Sequence, residues 1–226
     1  MLGKTMVTIG ATAALVVGLT IPADAQPSGT LYARSNLCLL DEAKGVGYCL
    51  NDPDASTTNG ELMQTWQRED EGEPNNDWYA IDIGTVSAAR QWPFSSKPSQ
   101  GNSTSWNTML NGDPVVMLNF APYNVQTNYC AYADIDTDSQ GETATVNGYT
   151  CDDSALNQWW VIVDNDGVQE YVNVRQTDDW VATAGSELPI VGLPCIEGEY
   201  NNGGLIGSEG CLHSVYQDWN WYPRFG

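Results

Sequence analysis

A motif of two cysteines followed by Gln-x-Trp recurs three times along the chain, and it constrains the fold more than any other feature. The three copies are Cys38, Cys49 and Gln64-Thr65-Trp66; Cys130, Cys151 and Gln158-Trp159-Trp160; and Cys195, Cys211 and Gln217-Asp218-Trp219. Six cysteines allow many pairings, and the repeat selects the one in which each copy closes its own disulfide. Such short bridges stabilise a fold by ~2–4 kcal/mol each.

The N-terminus has the three parts of a cleaved signal peptide. Lys4 precedes an apolar stretch over residues 7–19, and Pro22 leads into the small-residue triplet Ala23-Asp24-Ala25. A membrane anchor is the alternative, but the stretch is shorter than the ~20 apolar residues that span a bilayer. We therefore predict a signal peptide over residues 1–25 and a secreted mature protein, where disulfides are stable.

The chain is strongly acidic, with a net charge of −21. Removing residues 1–25 takes away one base, Lys4, and one acid, Asp24, so the mature charge is unchanged. Such a surface repels phosphate backbones and anionic lipids. We expect neither nucleic-acid binding nor membrane insertion, and a single domain over residues 26–226. The oligomeric state is left open.

Short runs of β-branched and aromatic residues, separated by Gly, Asn, Asp and Pro, predict an all-β fold. The clearest runs are residues 78–83, 115–118, 159–163 and 171–174, and Asn165-Asp166-Gly167 predicts a hairpin turn. Residues 68–78 and 91–111 are rich in Ser, Asn, Pro and Gly and predict surface loops. They include a glycosylation sequon at Asn102.

The Gln-x-Trp motif has a structural interpretation. On a strand, residues two apart face the same side, so the indole fills the core while the amide bonds a backbone group. This predicts a structural role for five residues: Gln64, Trp66, Trp160, Gln217 and Trp219.

The motifs resemble those of the ricin B-type lectins. The best match runs from Cys130 through Cys151 and Asn157-Gln158-Trp159-Trp160 to residues 171–174. The resemblance implies a β-trefoil of three four-stranded units, at residues 31–110, 111–178 and 179–226. Residues 68–128 match poorly, which predicts an insertion in or after the first unit. A different β-rich fold with chance Gln-x-Trp matches is the alternative.

The resemblance also implies sugar sites of the galactose type and no catalysis. In the second unit it points to Asp134, Tyr149, Asn157 and Gln158, and in the first unit to Asp41 and Tyr48. Tyr132 stands two residues past Cys130, where the family has its acid. The third unit lacks an acid and an aromatic at the matching places. The other interpretation is that these residues only build the trefoil.

A second candidate site is the alternating carboxylates Asp134, Asp136 and Asp138, a weak pattern for Ca²⁺. No other cofactor is expected. The single histidine, His213, supports neither a catalytic triad nor a zinc site. Two alternatives to a lectin stay open: a secreted structural or interaction protein without sugar binding, and a small glycoside hydrolase using two carboxylates.

Overall fold

The structure, a computed structural model, describes residues 27, 29–41, 45–68, 74–85, 112–135, 144–165, 168–176, 194–210 and 214–222. The predicted signal peptide, Asn102, Asp136, Asp138, Cys211 and His213 lie outside these residues. The described strands are β1 (Thr30–Asp41), β2 (Val46–Asn51), β3 (Glu61–Leu62), β4 (Gln64–Gln67), β5 (Asp77–Thr85), β6 (Pro114–Phe120), β7 (Tyr129–Ile135), β8 (Ala144–Thr150), β9 (Trp159–Asn165), β10 (Val168–Asn173), β11 (Pro194–Glu197), β12 (Gly204–Leu205), β13 (Gly207–Gly210) and β14 (Trp219–Tyr222). Short 3-10 turns occupy Pro53–Ala55, Pro74–Asn76, Pro122–Asn124 and Leu156–Gln158.

The prediction of an all-β fold is confirmed. The four clearest runs lie in β5, β6, β9 and β10. Val168 pairs with Asn165, so the predicted hairpin joins β9 to β10. Within the described ranges, no helix combines the length and apolar character needed to span a bilayer.

Six antiparallel strands close into a ring, in the order β1, β5, β6, β9, β10, β14 and back to β1. Three further antiparallel pairs follow around it: β2–β4, the first hairpin; β7–β8, the second hairpin; and β11–β13, the third hairpin. Each hairpin also pairs with a ring strand, through β1–β2, β6–β7 and β10–β11. The strand pairing therefore repeats three times.

The three hairpins meet in a cycle of backbone hydrogen bonds. Met63 N–H donates to Val146 C=O (2.8 Å), Val146 N–H to Ile206 C=O (2.8 Å), and Ile206 N–H to Met63 C=O (3.3 Å). All three side chains are buried. The cycle places these residues at equivalent positions and so fixes which residues of the hairpins correspond.

A buried tryptophan recurs in each repeat and shows that the first copy of the motif is misplaced in the prediction. The indole Nε1 of Trp78 donates to Leu50 C=O (2.9 Å), that of Trp160 to Ala131 C=O (3.4 Å), and that of Trp219 to Ile196 C=O (3.1 Å). Each acceptor immediately follows a cysteine, and all three indoles are fully buried.

Trp160, Gln217 and Trp219 are buried as predicted. Trp66 and Gln64, for which the same role was predicted, are only half-buried. They lie on β4, the second strand of a hairpin, whereas the core tryptophans begin a ring strand. Asn76-Asp77-Trp78 is the first member of the core series, with Asn in place of Gln.

Two of the three predicted disulfides are confirmed, Cys38–Cys49 and Cys130–Cys151. Cys195 is also disulfide-bonded, and its predicted partner lies outside the described residues. The Cys38–Cys49 bridge joins β1 to β2, whereas Cys130–Cys151 belongs to the second hairpin. In the second repeat Asn119 faces Cys130, the place that Cys38 takes opposite Cys49.

Each repeat is a consecutive set of four strands, and the β1–β14 pair joins the last repeat to the first. β10 (Val168–Asn173) pairs with β11 and β14 and so groups with the third repeat, whereas the predicted second unit extends to residue 178. Residues 68–128 are not an insertion as a whole, since they contain β5 and β6 of the ring. The excess over the equivalent β9–β10 connection is confined to residues 86–113.

Candidate functional site

One face of the second hairpin gathers the predicted residues of the second unit. Strand alternation places Tyr132 and Asp134 of β7 on the side opposite Ala131 and Ala133, which are buried in the core. Tyr132 pairs with Asn147 across the hairpin, and Cys130 pairs with Tyr149. These side chains therefore share the outer face of the hairpin, beside the Cys130–Cys151 bridge.

Two tyrosine rings dominate this face. The ring centroids of Tyr132 and Tyr149 are 4.6 Å apart, with an interplanar angle of 48°. Both side chains are half-buried. Burial raises the pKa of Tyr132, with smaller contributions from Asp134 and Tyr149 and an opposing one from Arg175. The rings thus offer aromatic surface next to an exposed carboxylate.

Asn147 was missed by the sequence reasoning and links the tyrosines to the carboxylate. Its Nδ2 donates to Asp134 Oδ2 (3.1 Å). The side chain is 5% exposed, and within the described residues its Oδ1 has no hydrogen-bond partner. A buried acceptor without a donor costs about 1–3 kcal/mol, so the second hairpin carries an unsatisfied polar group beside Asp134.

Asn157 and Gln158 border the face but are held by the backbone. Asn157 Nδ2 donates to Ala133 C=O (2.7 Å). Gln158 Nε2 donates to Thr150 C=O (2.9 Å), while its Oε1 accepts from the N–H of Asp152 (2.8 Å). Both ends of the buried Gln158 amide are therefore hydrogen-bonded to the backbone, so this residue holds the chain around residues 150–152 in place.

The first hairpin carries an equivalent set, but with different residues from those predicted. Trp66 pairs with Cys49 as Tyr149 pairs with Cys130, and Gln64 pairs with Asn51 as Asn147 pairs with Tyr132. Gln64 Nε2 donates to Asn51 Oδ1 (2.9 Å), and Asn51 Nδ2 donates onward to Asn76 Oδ1 (2.7 Å).

Tyr48 and Asp41 do not belong to this face. Tyr48 lies on the opposite side of β2 from Asn51, and its ring packs against Tyr200 with centroids 6.0 Å apart. The backbone of Asp41 pairs with Val46 at the far end of β1. The prediction counted residues from Cys38, whereas Cys49 is the structural equivalent of Cys130. Comparing Met63-Gln64-Thr65-Trp66 with Val146-Asn147-Gly148-Tyr149 reveals the shared apolar–amide–x–aromatic pattern.

The third hairpin has neither the amide nor the aromatic residue of this pattern. Gly207 stands at the position of Gln64 and Asn147, and Glu209 pairs with Cys195 at the position of Trp66 and Tyr149. Glu197 Oε2 accepts instead from Gln217 Nε2 (3.1 Å). The aromatic–amide pair is therefore a feature of the first two hairpins.

A buried carboxyl group lies close to the first hairpin. Asp52 is fully buried, and within the described residues neither of its oxygens has a hydrogen-bond partner. Burial raises its pKa to about 8, helped by Glu61 and Asp54. Burial likewise raises the pKa of Tyr129, with Asp52 and Glu61 adding to it. Asp52 therefore holds its proton at neutral pH.

Among the described residues, no three His, Cys, Asp or Glu side chains come together as a metal site. Asp134 is the one member of the predicted calcium set in this part of the chain, so the calcium site stays a prediction.

No protein-family model matches the chain, and no curated protein matches it by sequence. Several solved structures resemble it, including the following three. The designed three-fold symmetric protein ThreeFoil has a TM-score of 0.50 at 16% identity, covering 82% of this chain and 95% of its own. The exo-β-1,3-galactanase 1,3Gal43A from Clostridium thermocellum has a TM-score of 0.45 at 16% identity, covering 82% and 29%. A Caenorhabditis elegans protein of unknown function has a TM-score of 0.38 at 9% identity, covering 84% and 94%.

The similarity to ThreeFoil concerns the fold alone. It agrees with the threefold repetition of strand pairing and of the buried tryptophans described above. The chain thus has a trefoil-like β fold.

Proposed function

We propose that the protein is a secreted β-trefoil lectin of the ricin B type that binds extracellular or cell-wall glycans without catalysis. The observation that carries this proposal is the repetition of one aromatic–amide pair at the same position of two hairpins: Asn147 with Tyr149, and Gln64 with Trp66. The two disulfides, the predicted signal peptide and the acidic charge support an extracellular location.

The chemistry of both faces suits a pyranose. A sugar ring has an apolar C–H side, which stacks on an aromatic ring, and a rim of hydroxyls, which amides and carboxylates bind. In the second hairpin Tyr149 supplies the ring, while Asn147 and Asp134 supply polar atoms on the same side. In the first hairpin Trp66 and Gln64 supply the same pair.

A glycan array with the mature protein, followed by titration of the best ligand, tests the proposal. We expect Tyr149→Ala and Trp66→Ala each to remove one site, and the double variant to bind at least about tenfold more weakly, which is ~1.4 kcal/mol. Tyr123→Ala is the matched control, because Tyr123 is 69% exposed on the Pro122–Asn124 turn, which belongs to neither hairpin.

Undiminished binding by the double variant would overturn the site assignment. The absence of any glycan ligand would favour the alternative of an interaction protein. Turnover of a polysaccharide that single carboxylate substitutions abolish would favour the hydrolase. N-terminal sequencing of the exported protein tests secretion, with Gln26 expected as the first residue.

A further inference from the structure

We propose, building on the proposed function, that the second hairpin selects glycans that carry a free amino group, with Asp134, Asn147 and the two tyrosine rings binding the ammonium. The equivalent face of the first hairpin lacks a counterpart of Asp134, and we expect it to bind neutral sugars. The inference names a ligand class for one of the two faces and goes beyond sugar binding in general.

Two acceptors of this face are left without a full set of donors by the described residues. Asp134 is exposed, and among the described residues it accepts a single hydrogen bond, from Asn147. Asn147 Oδ1 is buried and has no donor within the described part of the chain. A ligand that satisfies both groups must donate hydrogen bonds. An ammonium has three donors and no acceptor, so it matches both.

The aromatic pair favours a cation as well. A positive group within ≈6 Å of a ring centroid is attracted to the electron-rich face of the ring. Because the centroids of Tyr132 and Tyr149 are 4.6 Å apart, a single ammonium can lie within that distance of both rings. The half-burial of the tyrosines reduces the water that competes for this contact.

The local field is negative despite a nearby cation. Asp134 has a larger effect on the pKa of Tyr132 than Arg175, which acts in the opposite direction. The net charge of −21 adds a long-range attraction for cationic ligands. A uronic acid or a sulfated sugar would be repelled by the Asp134 carboxylate and by the net negative charge of the protein.

The first hairpin lacks the carboxylate. Cys49 is the equivalent of Cys130. The residue four positions after Cys130 is Asp134, whereas the residue four positions after Cys49 is Pro53. The amides of Gln64 and Asn51 are bonded to each other and to Asn76, leaving a neutral network beside Trp66. The two faces therefore share an aromatic–amide pair at equivalent positions but differ in charge.

Matched saccharides test the inference by calorimetric titration at about pH 6, below the pKa of ~8 typical of an α-amine. Galactose, galactosamine and N-acetylgalactosamine form one set, and the glucose series forms a second. Trp66→Ala serves as the background, so that the second hairpin is measured alone. We expect the amine to bind at least tenfold more tightly than the hexose, and N-acetylation to remove that gain.

Asp134→Asn should reduce the amine's advantage to less than threefold. Asp54→Asn is the control, since it removes the same charge from an exposed turn at a backbone conformation that Asn tolerates. In Asp54→Asn the affinity of the amine relative to the hexose should equal that in the Trp66→Ala background protein. Thermal unfolding of each variant shows whether it is folded.

Equal affinities for hexose and amine would overturn the inference and leave glycan binding standing. An advantage that persists in Asp134→Asn would also overturn it. Binding of no saccharide in either series or on the array would overturn the proposed function and this inference together.

Discussion

Asp52 places a carboxyl group in the protein interior, where its two counterparts in the other repeats are Ala133 and Gly198. Those residues follow the first cysteine of the hairpin by three positions, as Asp52 follows Cys49. Neither Ala133 nor Gly198 carries an ionisable group. The nearby groups that bear on the Asp52 charge are Glu61, Asp54 and the hydroxyl of Tyr129, and none of these is positive. Burial and these neighbours therefore favour the neutral acid over the carboxylate in the folded protein.

The sign of the pH dependence follows from this. The pKa of Asp52 is 3.8 in its ordinary state and about 8 in the fold. Between these values the unfolded chain has released the proton and the folded protein has kept it, so the free energy of unfolding falls as pH rises. The contribution is fully present below about pH 4 and is lost by about pH 8.

Asp52→Asn removes this dependence, because the amide is neutral at every pH. We expect the variant to be more stable than the wild type at neutral pH. Its advantage should grow between pH 4 and pH 8, with a slope approaching ~1.4 kcal/mol per pH unit. Urea unfolding at several pH values measures it. A stability difference that does not change with pH would contradict the assignment of a buried neutral carboxyl.

At the scale of the element, the second hairpin depends on a close contact between the backbone of β8 at Gly148 and the aromatic ring of Tyr129. The hydroxyl of Tyr129 donates to Thr58 C=O (2.5 Å) and so ties β7 to the first hairpin. Gly148 lies against the Tyr129 ring, and a Cβ there would overlap it. The side chain is missing at this position because the neighbouring ring occupies its space.

Gly148→Ala should therefore destabilise the protein by ~1–3 kcal/mol, the usual cost of overpacking. Gly47→Ala is the matched control on the first hairpin, where the nearest atom to the new methyl group would be Cys38 Cβ at 3.6 Å, an ordinary contact. Denaturant midpoints of the two variants give the comparison. Equal stabilities would contradict the packing described for Tyr129.

At the scale of the whole molecule, the ring is closed by strands from the two ends of the chain. β1 pairs with β14 over Asn36–Leu39 and Trp219–Tyr222, and with β5 on its other side. Leu37 and Leu39 of β1 are fully buried. Losing each costs ~2–5 kcal/mol, which together approaches the ~5–15 kcal/mol stability of an ordinary domain.

A chain that begins at Gly45 should therefore fail to fold. A circular permutant that joins the C-terminus to residue 26 and opens the chain between β1 and β2 should fold, because every strand pair is kept. Circular dichroism and thermal unfolding distinguish the two. Cooperative unfolding of the truncated chain at the full-length midpoint would contradict the role of β1 in closing the ring.

The sequence by itself determined features that depend on neighbours along the chain. Runs of β-branched and aromatic residues bounded by turn residues located β5, β6, β9 and β10, because the preference of a residue for a strand or a turn is largely a local property. The motif repeat also identified the Cys38–Cys49 and Cys130–Cys151 bridges. The predicted residues Tyr149 and Asp134 lie on the same hairpin, because the second repeat keeps both cysteines of its motif there.

Only the tertiary structure decided which repeats correspond. Trp66 and Trp78 both fit a polar-x-Trp pattern, and their roles separate only when the hairpins are aligned through Met63, Val146 and Ile206. The pairing of β1 with β14 joins residues about 180 positions apart, and a local pattern carries no information on such contacts. Asp41 and Tyr48 were predicted by counting from Cys38, whereas the strand register makes Cys49 the equivalent of Cys130 and places Gln64 and Trp66 on the corresponding face of the first hairpin.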